Sequence, residues 1–322
     1  MRKSLFGVLC ILFGTVALLP NSEAQQPSYP DRAIELIVPQ TAGSAVDLPA
    51  RVIATWLSEK WKKPIKIVNR PGGGFVVGTQ SVMQAEPDGY TILWDGNGAA
   101  SFQIMIKDKL PYKWDGRTFI GKIVEQPMVF LVNNSSPMKT LKDVEQRIRS
   151  NPSSFKSSWQ AITTVTGLSL VRWFDTINVD PSKCKLIEYR ASKEAVTAVA
   201  GGHIDFASGG LSSVLPMIQS GHVRLVAVLS SKRTGVLPDV PTAKEQGYPI
   251  ELSAWQGISG PPNLPKEVVD KWVSAMEEMA EDKELAAELR SKLKMDISFL
   301  GPKEFKEMVL TEADSVMKFA KR

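Results

Sequence analysis

The stretch Pro39-Gln40-Thr41-Ala42-Gly43-Ser44-Ala45-Val46-Asp47 contains no lysine, arginine or histidine, yet its residues could still hold an anion. It follows the short, β-branched apolar run Ile34 to Val38, and Ile53, Trp56, Leu57 and Trp61 recur after it at helical spacing. A loop between a buried strand and a helix carries main-chain N–H groups that neither element uses, and the helix start adds the positive end of a dipole. A carboxylate or phosphate is the chemistry such a loop would take. An ordinary strand-to-helix turn is the other reading of the same residues. A second stretch repeats the pattern: Lys156 to Trp159 is strand-like, Gln160 to Gly167 includes Thr163 and Thr164, and Leu168 to Phe174 is apolar at helical spacing.

Other candidates are single residues. Asp47 is either a helix cap or a cleft carboxylate that would repel a second acidic group and favour an amine or hydroxyl. Asn97 lies in Asp95-Gly96-Asn97-Gly98 after the apolar run Tyr90 to Trp94, and Ser208 lies in the small-residue run Ala207 to Gly210. Arg190 could grip a distal carboxylate bidentately or make a surface ion pair. The run Asn69-Arg70-Pro71-Gly72-Gly73-Gly74-Phe75-Val76-Val77-Gly78 lacks the Lys-Ser/Thr ending of a phosphate loop, and a tight turn needing positive φ explains it better. Catalysis finds little support. The only histidines, His203 and His222, sit apart beside glycines, Cys184 has no histidine near it in sequence, and no Gly-x-Ser-x-Gly elbow or paired metal spacing occurs. No metal and no cofactor are expected.

The elements that must position these residues alternate between strand-like and helix-like, which predicts an α/β fold with largely parallel pairing. Parallel strands put their carboxyl ends together, so the loops after Val38 and Trp94 should share one sheet edge. Further strands are expected at 65–68, 119–124, 128–133, 185–189 and 224–230, and helices near 141–149, from Asn263 onward and at 302–319. Pro49 would clash with the Ala45 carbonyl in a regular helix, so a late helix start with Asp47 as its cap is expected. Both C-terminal helices should pack on the first half of the chain. Residues 1–24 combine a charged start, an apolar run to Leu19 and Ser22-Glu23-Ala24, the pattern of a cleavable export signal. Its removal would leave 298 residues with 37 basic against 33 acidic side chains, a balance of +4, and one cysteine. That spread, modest charge gives no nucleic-acid stripe.

Tyr29-Pro30-Asp31-Arg32, the Pro39 to Asp47 loop, Asn69-Arg70-Pro71-Gly72, Pro87-Asp88-Gly89-Tyr90-Thr91, Leu110-Pro111-Tyr112, Gly202-His203-Ile204-Asp205, Leu237-Pro238-Asp239-Val240-Pro241-Thr242 and Trp255 follow one another along the chain. In this order they resemble the solute receptors of tripartite tricarboxylate transporters, also called Bug proteins. The resemblance implies a type II-like, two-lobed periplasmic binding protein with two crossing strands, lobe 1 formed by 25–128 and 229–322 and lobe 2 by 129–228. It implies a monomer that holds a small organic carboxylate (di- or tricarboxylate, aromatic or amino acid) in its cleft and delivers it to membrane permease subunits. A sensor reporting to a membrane signalling partner is the alternative output. Carried over by position, the ligand loops are Pro39, Gln40, Thr41, Ala42, Gly43, Ser44 and Asp47 in one lobe and Gln160, Thr163 and Thr164 in the other. The chain departs from the family at Gln40-Thr41 and Ser44, where proline-phenylalanine-proline and paired glycines are usual, at Gln160 to Val165, where a serine- and glycine-rich run is usual, and at Arg190, where the usual residue is lysine.

Overall fold

The computed structural model describes residues 29–160, 164–189 and 192–320. In chain order the principal elements are β1 (Ile34–Val38), α1 (Asp47–Trp61), β2 (Ile65–Asn69), α2 (Val76–Met83), β3 (Thr91–Gly96), β4 (Thr118–Asn133), α3 (Leu141–Ser150), β5 (Lys156–Trp159), α4 (Val165–Thr176), β6 (Lys185–Glu188), α5 (Ser192–Ala200), β7 (Ala207–Gly210), α6 (Leu211–Gln219), β8 (Val223–Val228), β9 (Ser253–Gly260), α7 (Lys266–Glu281), α8 (Lys283–Glu288), β10 (Asp296–Leu300) and α9 (Pro302–Ala320).

The first lobe is built on the strand order β10-β4-β9-β3-β1-β2, in which β1 runs parallel to β2 and β3, and β9 runs antiparallel to β3 and β4. Its β1 core residues Ile34, Leu36 and Val38 face α1 and α7, while Ile37 on the opposite face meets Val82 of α2 and Leu93 of β3. The short run 34–38 is therefore covered on both sides from Leu36 to Val38, which explains its three consecutive apolar residues there, while Glu35 near its start stays exposed.

β4 is the element that joins the lobes. Its residues up to Pro127 pair with β9, and from Met128 to Asn133 it pairs with β7 and β8 in the second lobe. Two separate strands expected at 119–124 and 128–133 are thus one strand of 16 residues. Pro127 does not break it because this is where the pairing partners change. The returning chain runs beside it, with Leu229 N–H donating to Met128 O and Leu252 N–H to Leu229 O. In the second lobe β5 and β6 are parallel, and a bridge between Ser157 and Phe206 links β5 to the start of β7. The molecule is a two-lobed α/β protein with two crossing segments.

Further expectations need correction, and the first is the pairing, which is not largely parallel: β9 with β3 and β4, and β7, β8 and β10 with β4, are antiparallel, against β1 with β2 and β3 and β5 with β6. β10 and β7 are strands where none was expected. α9 does not pack on the first lobe alone: Phe305 and Val309 join Phe119 and Trp255, but Ala313 and Val316 enter the second core beside Phe130, Trp173 and Phe206. The helix expected from Asn263 onward begins later, at Lys266. Asn263 takes φ 63°, and Pro265 stands immediately before α7.

Candidate functional site

The register fixes which loops meet. Gly96 at the end of β3 pairs with Gln256 near the start of β9, and Ser253 at the start of β9 pairs with Pro127 at the crossing. The carboxyl ends of β1, β2 and β3 therefore point toward the second lobe. There, Gly210 at the end of β7 pairs with Met128, so the carboxyl ends of β7 and its parallel neighbour β5 point back toward the first. Two sets of strand-to-helix loops face each other across the crossing strands, at the edge where α/β sheets bind ligands.

In the first lobe the loop 39–46 is shaped by Asp47, whose buried carboxylate accepts the Gly43 N–H at 2.8 Å, Arg51 Nε at 2.7 Å and Asn69 Nδ2 at 2.8 Å. Burial acts to raise the Asp47 carboxyl, but the hydrogen bonds from Arg51, Asn69 and Gly43 outweigh it and hold the group below the usual carboxylate range. Neither expected reading fits. α1 begins at Asp47 itself, Ser44 Oγ accepts the Asp47 N–H, and the Asp47 carboxylate binds backward to the loop. Pro49 consequently lies inside the first helical turn, where its lack of an N–H is tolerated.

Gly43 adopts φ 77°, which lets the chain turn back on itself. Its amide is used internally, and the Ser44 N–H donates to Thr41 O. The amides of Thr41, Ala42, Ala45 and Val46 meet no acceptor among the described residues. Pro39 is buried, and Gln40 gives its carbonyl to Asn69 Nδ2 at 2.9 Å.

In the second lobe Thr164 caps α4 by accepting the Gly167 N–H at 3.0 Å, which leaves the first amides of the helix, Val165 and Thr166, outside its hydrogen-bond ladder. Gln160 is only 5% exposed, and its Nε2 has no partner among the described residues. Ser208 is buried and accepts from Ser169 Oγ at 2.5 Å, while Thr166 and Ser192 hydroxyls lie 3.1 Å apart. Thr163 and Arg190 lie outside the described residues.

Asn97, just after β3, has its side chain committed internally. Its amide accepts the Trp255 N–H at 2.9 Å and donates to Glu312 at 2.8 Å, inside a buried cluster where Ser101 and Trp255 Nε1 also donate to Glu312. Burial raises the Glu312 carboxyl above the usual range despite those hydrogen bonds. The neighbouring Asp95 is paired with buried Arg117 at 2.7 Å and accepts from Ser259 Oγ, so it fixes the loop and leaves no free charge. A cavity of about 760 Å³ is lined by Arg172 of the second lobe, by Leu229 and Glu251 of the returning chain, and by Lys122 and Glu312 among others, and none of the sequence-predicted binding residues lines it. Among the described residues no three histidine, cysteine, aspartate or glutamate side chains gather as a metal site, and no helix is long and apolar enough to cross a membrane.

Fold and site together define a two-lobed solute-binding protein. The sequence profile of the tripartite tricarboxylate transporter family receptor matches residues 49–316, and the chain belongs to that family. A UPF0065 protein of Bordetella pertussis is 31% identical over 263 residues, covering 81% of this chain and 80% of that protein. The solved periplasmic binding protein BugD is 26% identical, with a TM-score of 0.68 over 91% of this chain and 98% of its own. An R. palustris protein solved with adipate is 24% identical, with a TM-score of 0.70 over 91% of this chain and 97% of its own, which bears on the fold. The chain is therefore a receptor of the periplasmic solute-binding kind, and its family works with a transporter.

Proposed function

We propose that this receptor captures a small organic carboxylate between its lobes and hands it, as a monomer in the periplasm after loss of residues 1–24, to the membrane permease subunits of a tripartite tricarboxylate transporter. The observation that carries this reading is the pair of facing loop sets: on one side the amides of Thr41, Ala42, Ala45 and Val46, on the other the first amides of α4 and Gln160 Nε2, where the 41–46 amides and Gln160 Nε2 meet no partner among the described residues. A buried amide nitrogen without a partner is costly to keep, and a ligand oxygen would satisfy it. About four hydrogen bonds to a carboxylate, each worth roughly 1.5 to 3 kcal/mol, reach the ~8 kcal/mol that micromolar binding requires, before ordering costs. The adipate held by the R. palustris neighbour fits the same class of ligand. Of the residues carried over by resemblance, Thr41, Ala42, Gln160 and Thr164 are assigned to the ligand, with Gly43, Ser44 and Asp47 shaping the loop that presents it.

The lobe boundaries we adopt are 25–128 with 229–322, and 129–228. The change of β4 partners at Pro127 and Met128 and the end of β8 at Val228 support them, with the tail of α9 reaching across. Lobe closure about the crossing segments would then exclude water and signal loading.

Calorimetry with a panel of organic acids tests the reading. Gln160→Leu should weaken carboxylate binding about tenfold or more while the melting temperature holds or rises, because the variant removes a buried donor with no partner among the described residues. Unchanged affinity in Gln160→Leu would remove this residue from the site, and turnover of any acid would favour an enzyme.

A further inference from the structure

We propose that Phe75 is a specificity wall of this interlobe site, and that the receptor selects carboxylates carrying an aromatic ring or a medium-length hydrocarbon body. The inference rests on the carboxylate reading above and adds the class of ligand.

Gly72, Gly73 and Gly74 all have positive φ, and Phe75 extends the series with φ 76° and ψ −6° before α2 begins. A bulky L-residue is sterically disfavoured in that region, where glycine is at ease. Core packing does not account for the strain: Phe75 is half-buried and belongs to none of the apolar clusters of the molecule. A strained residue outside the core points to use at a site.

The ring lies on Gly98, so close that a Cβ there would fall 2.3 Å from its Cε2. It thus bridges the loop after β2 and the loop after β3, both on the edge that faces the second lobe. Three residues on, Gly78 packs its α-carbon against Pro39, where the amide-bearing loop starts; a Cβ on Gly78 would fall 2.8 Å from Pro39 Cα. Two further apolar side chains stand at this edge. Leu48 on the first turn of α1 is 41% exposed, and Val77 on the first turn of α2 is 49% exposed. The polar amides that take the carboxylate are therefore flanked by apolar surface suited to the rest of the ligand, the usual division of labour in a small-molecule pocket.

Calorimetry with phenylacetate, hexanoate and succinate, on wild type and Phe75→Gly, tests the assignment. Wild type should bind phenylacetate or hexanoate about tenfold more tightly than succinate. Phe75→Gly should lose about tenfold on the first two and stay within about twofold on succinate, consistent with loss of one aromatic contact. Its melting temperature should hold or rise, since glycine relieves the positive φ. An equal change on all three acids, no change, or a wild-type preference for succinate overturns the role of Phe75 while leaving carboxylate capture standing. Binding of none of these acids by either protein overturns both.

Discussion

Gln256 Nε2 donates to the carbonyl of Ala45 at 3.1 Å, the acceptor that the missing N–H of Pro49 would have used in a regular helix. The same side chain accepts from buried Trp94 Nε1 at 3.0 Å, so one residue of β9 completes the first turn of α1 and anchors the amide-bearing loop. Gln256→Leu leaves both groups unpaired and should cost about 1–3 kcal/mol in chemical denaturation, with weaker ligand binding. Adding Pro49→Ala restores an N–H for Ala45 and should recover part of that loss; strict additivity of the two changes would contradict the compensation.

Asp47→Asn should destabilise the fold by about 2 kcal/mol, because the charged acceptor of Gly43, Arg51 and Asn69 is lost from a buried position. The sign with pH follows from its depressed carboxyl: the stabilisation is fully present above the usual aspartate range and is lost as pH falls through the folded value. Melting curves of wild type and variant should therefore converge in acid. A constant gap down to about pH 3 would argue against the clamp.

Glu312 gives the opposite slope. Its carboxyl is pushed up by burial, so the protonated form contributes stability that is complete at low pH and lost as pH rises through the raised folded value. Wild type should lose stability relative to Glu312→Gln as pH climbs from the usual glutamate range, in thermal melts. Parallel curves would mean the group ionises as it does in the unfolded chain.

At Gly257 a Cβ would meet the Gly121 carbonyl oxygen at 2.4 Å and Lys122 Cα at 2.9 Å, backbone atoms of the strand that joins the lobes. Gly257→Ala should cost about 3 kcal/mol or fail to fold, measured by denaturant titration. A variant of near wild-type stability would show that β4 and β9 can separate there freely.

The sequence shows some of these features and hides others for identifiable reasons. β1 with α1 announces itself through a short, largely apolar run followed by helical spacing, and β5 with α4 through the apolar helical spacing of Leu168 to Phe174 behind a polar strand. β7, Ala207-Ser208-Gly209-Gly210, carries no strand-forming residues: it is buried against β4, and a Cβ on Gly209 would come within 3.0 Å of Val214 Cγ2. β10 is a half-buried edge strand of mixed polarity, so its alternation is weak. The strand–loop–helix pattern brought both loops proposed for the ligand into view and the family resemblance agreed with it, yet nothing local to Asn97 shows that its amide serves Glu312, more than 200 residues away. Phe75 was hidden by its neighbours, since three glycines describe a turn and say nothing of the ring that follows.

The most direct test is a crystal structure of the receptor with bound adipate. The account predicts one carboxylate within hydrogen-bond reach of the amides in the 41–46 loop and of Gln160 Nε2 or the first amides of α4, with the hydrocarbon body beside Phe75. Adipate seated instead in the cavity lined by Arg172 and Glu312, away from both loops, would contradict it.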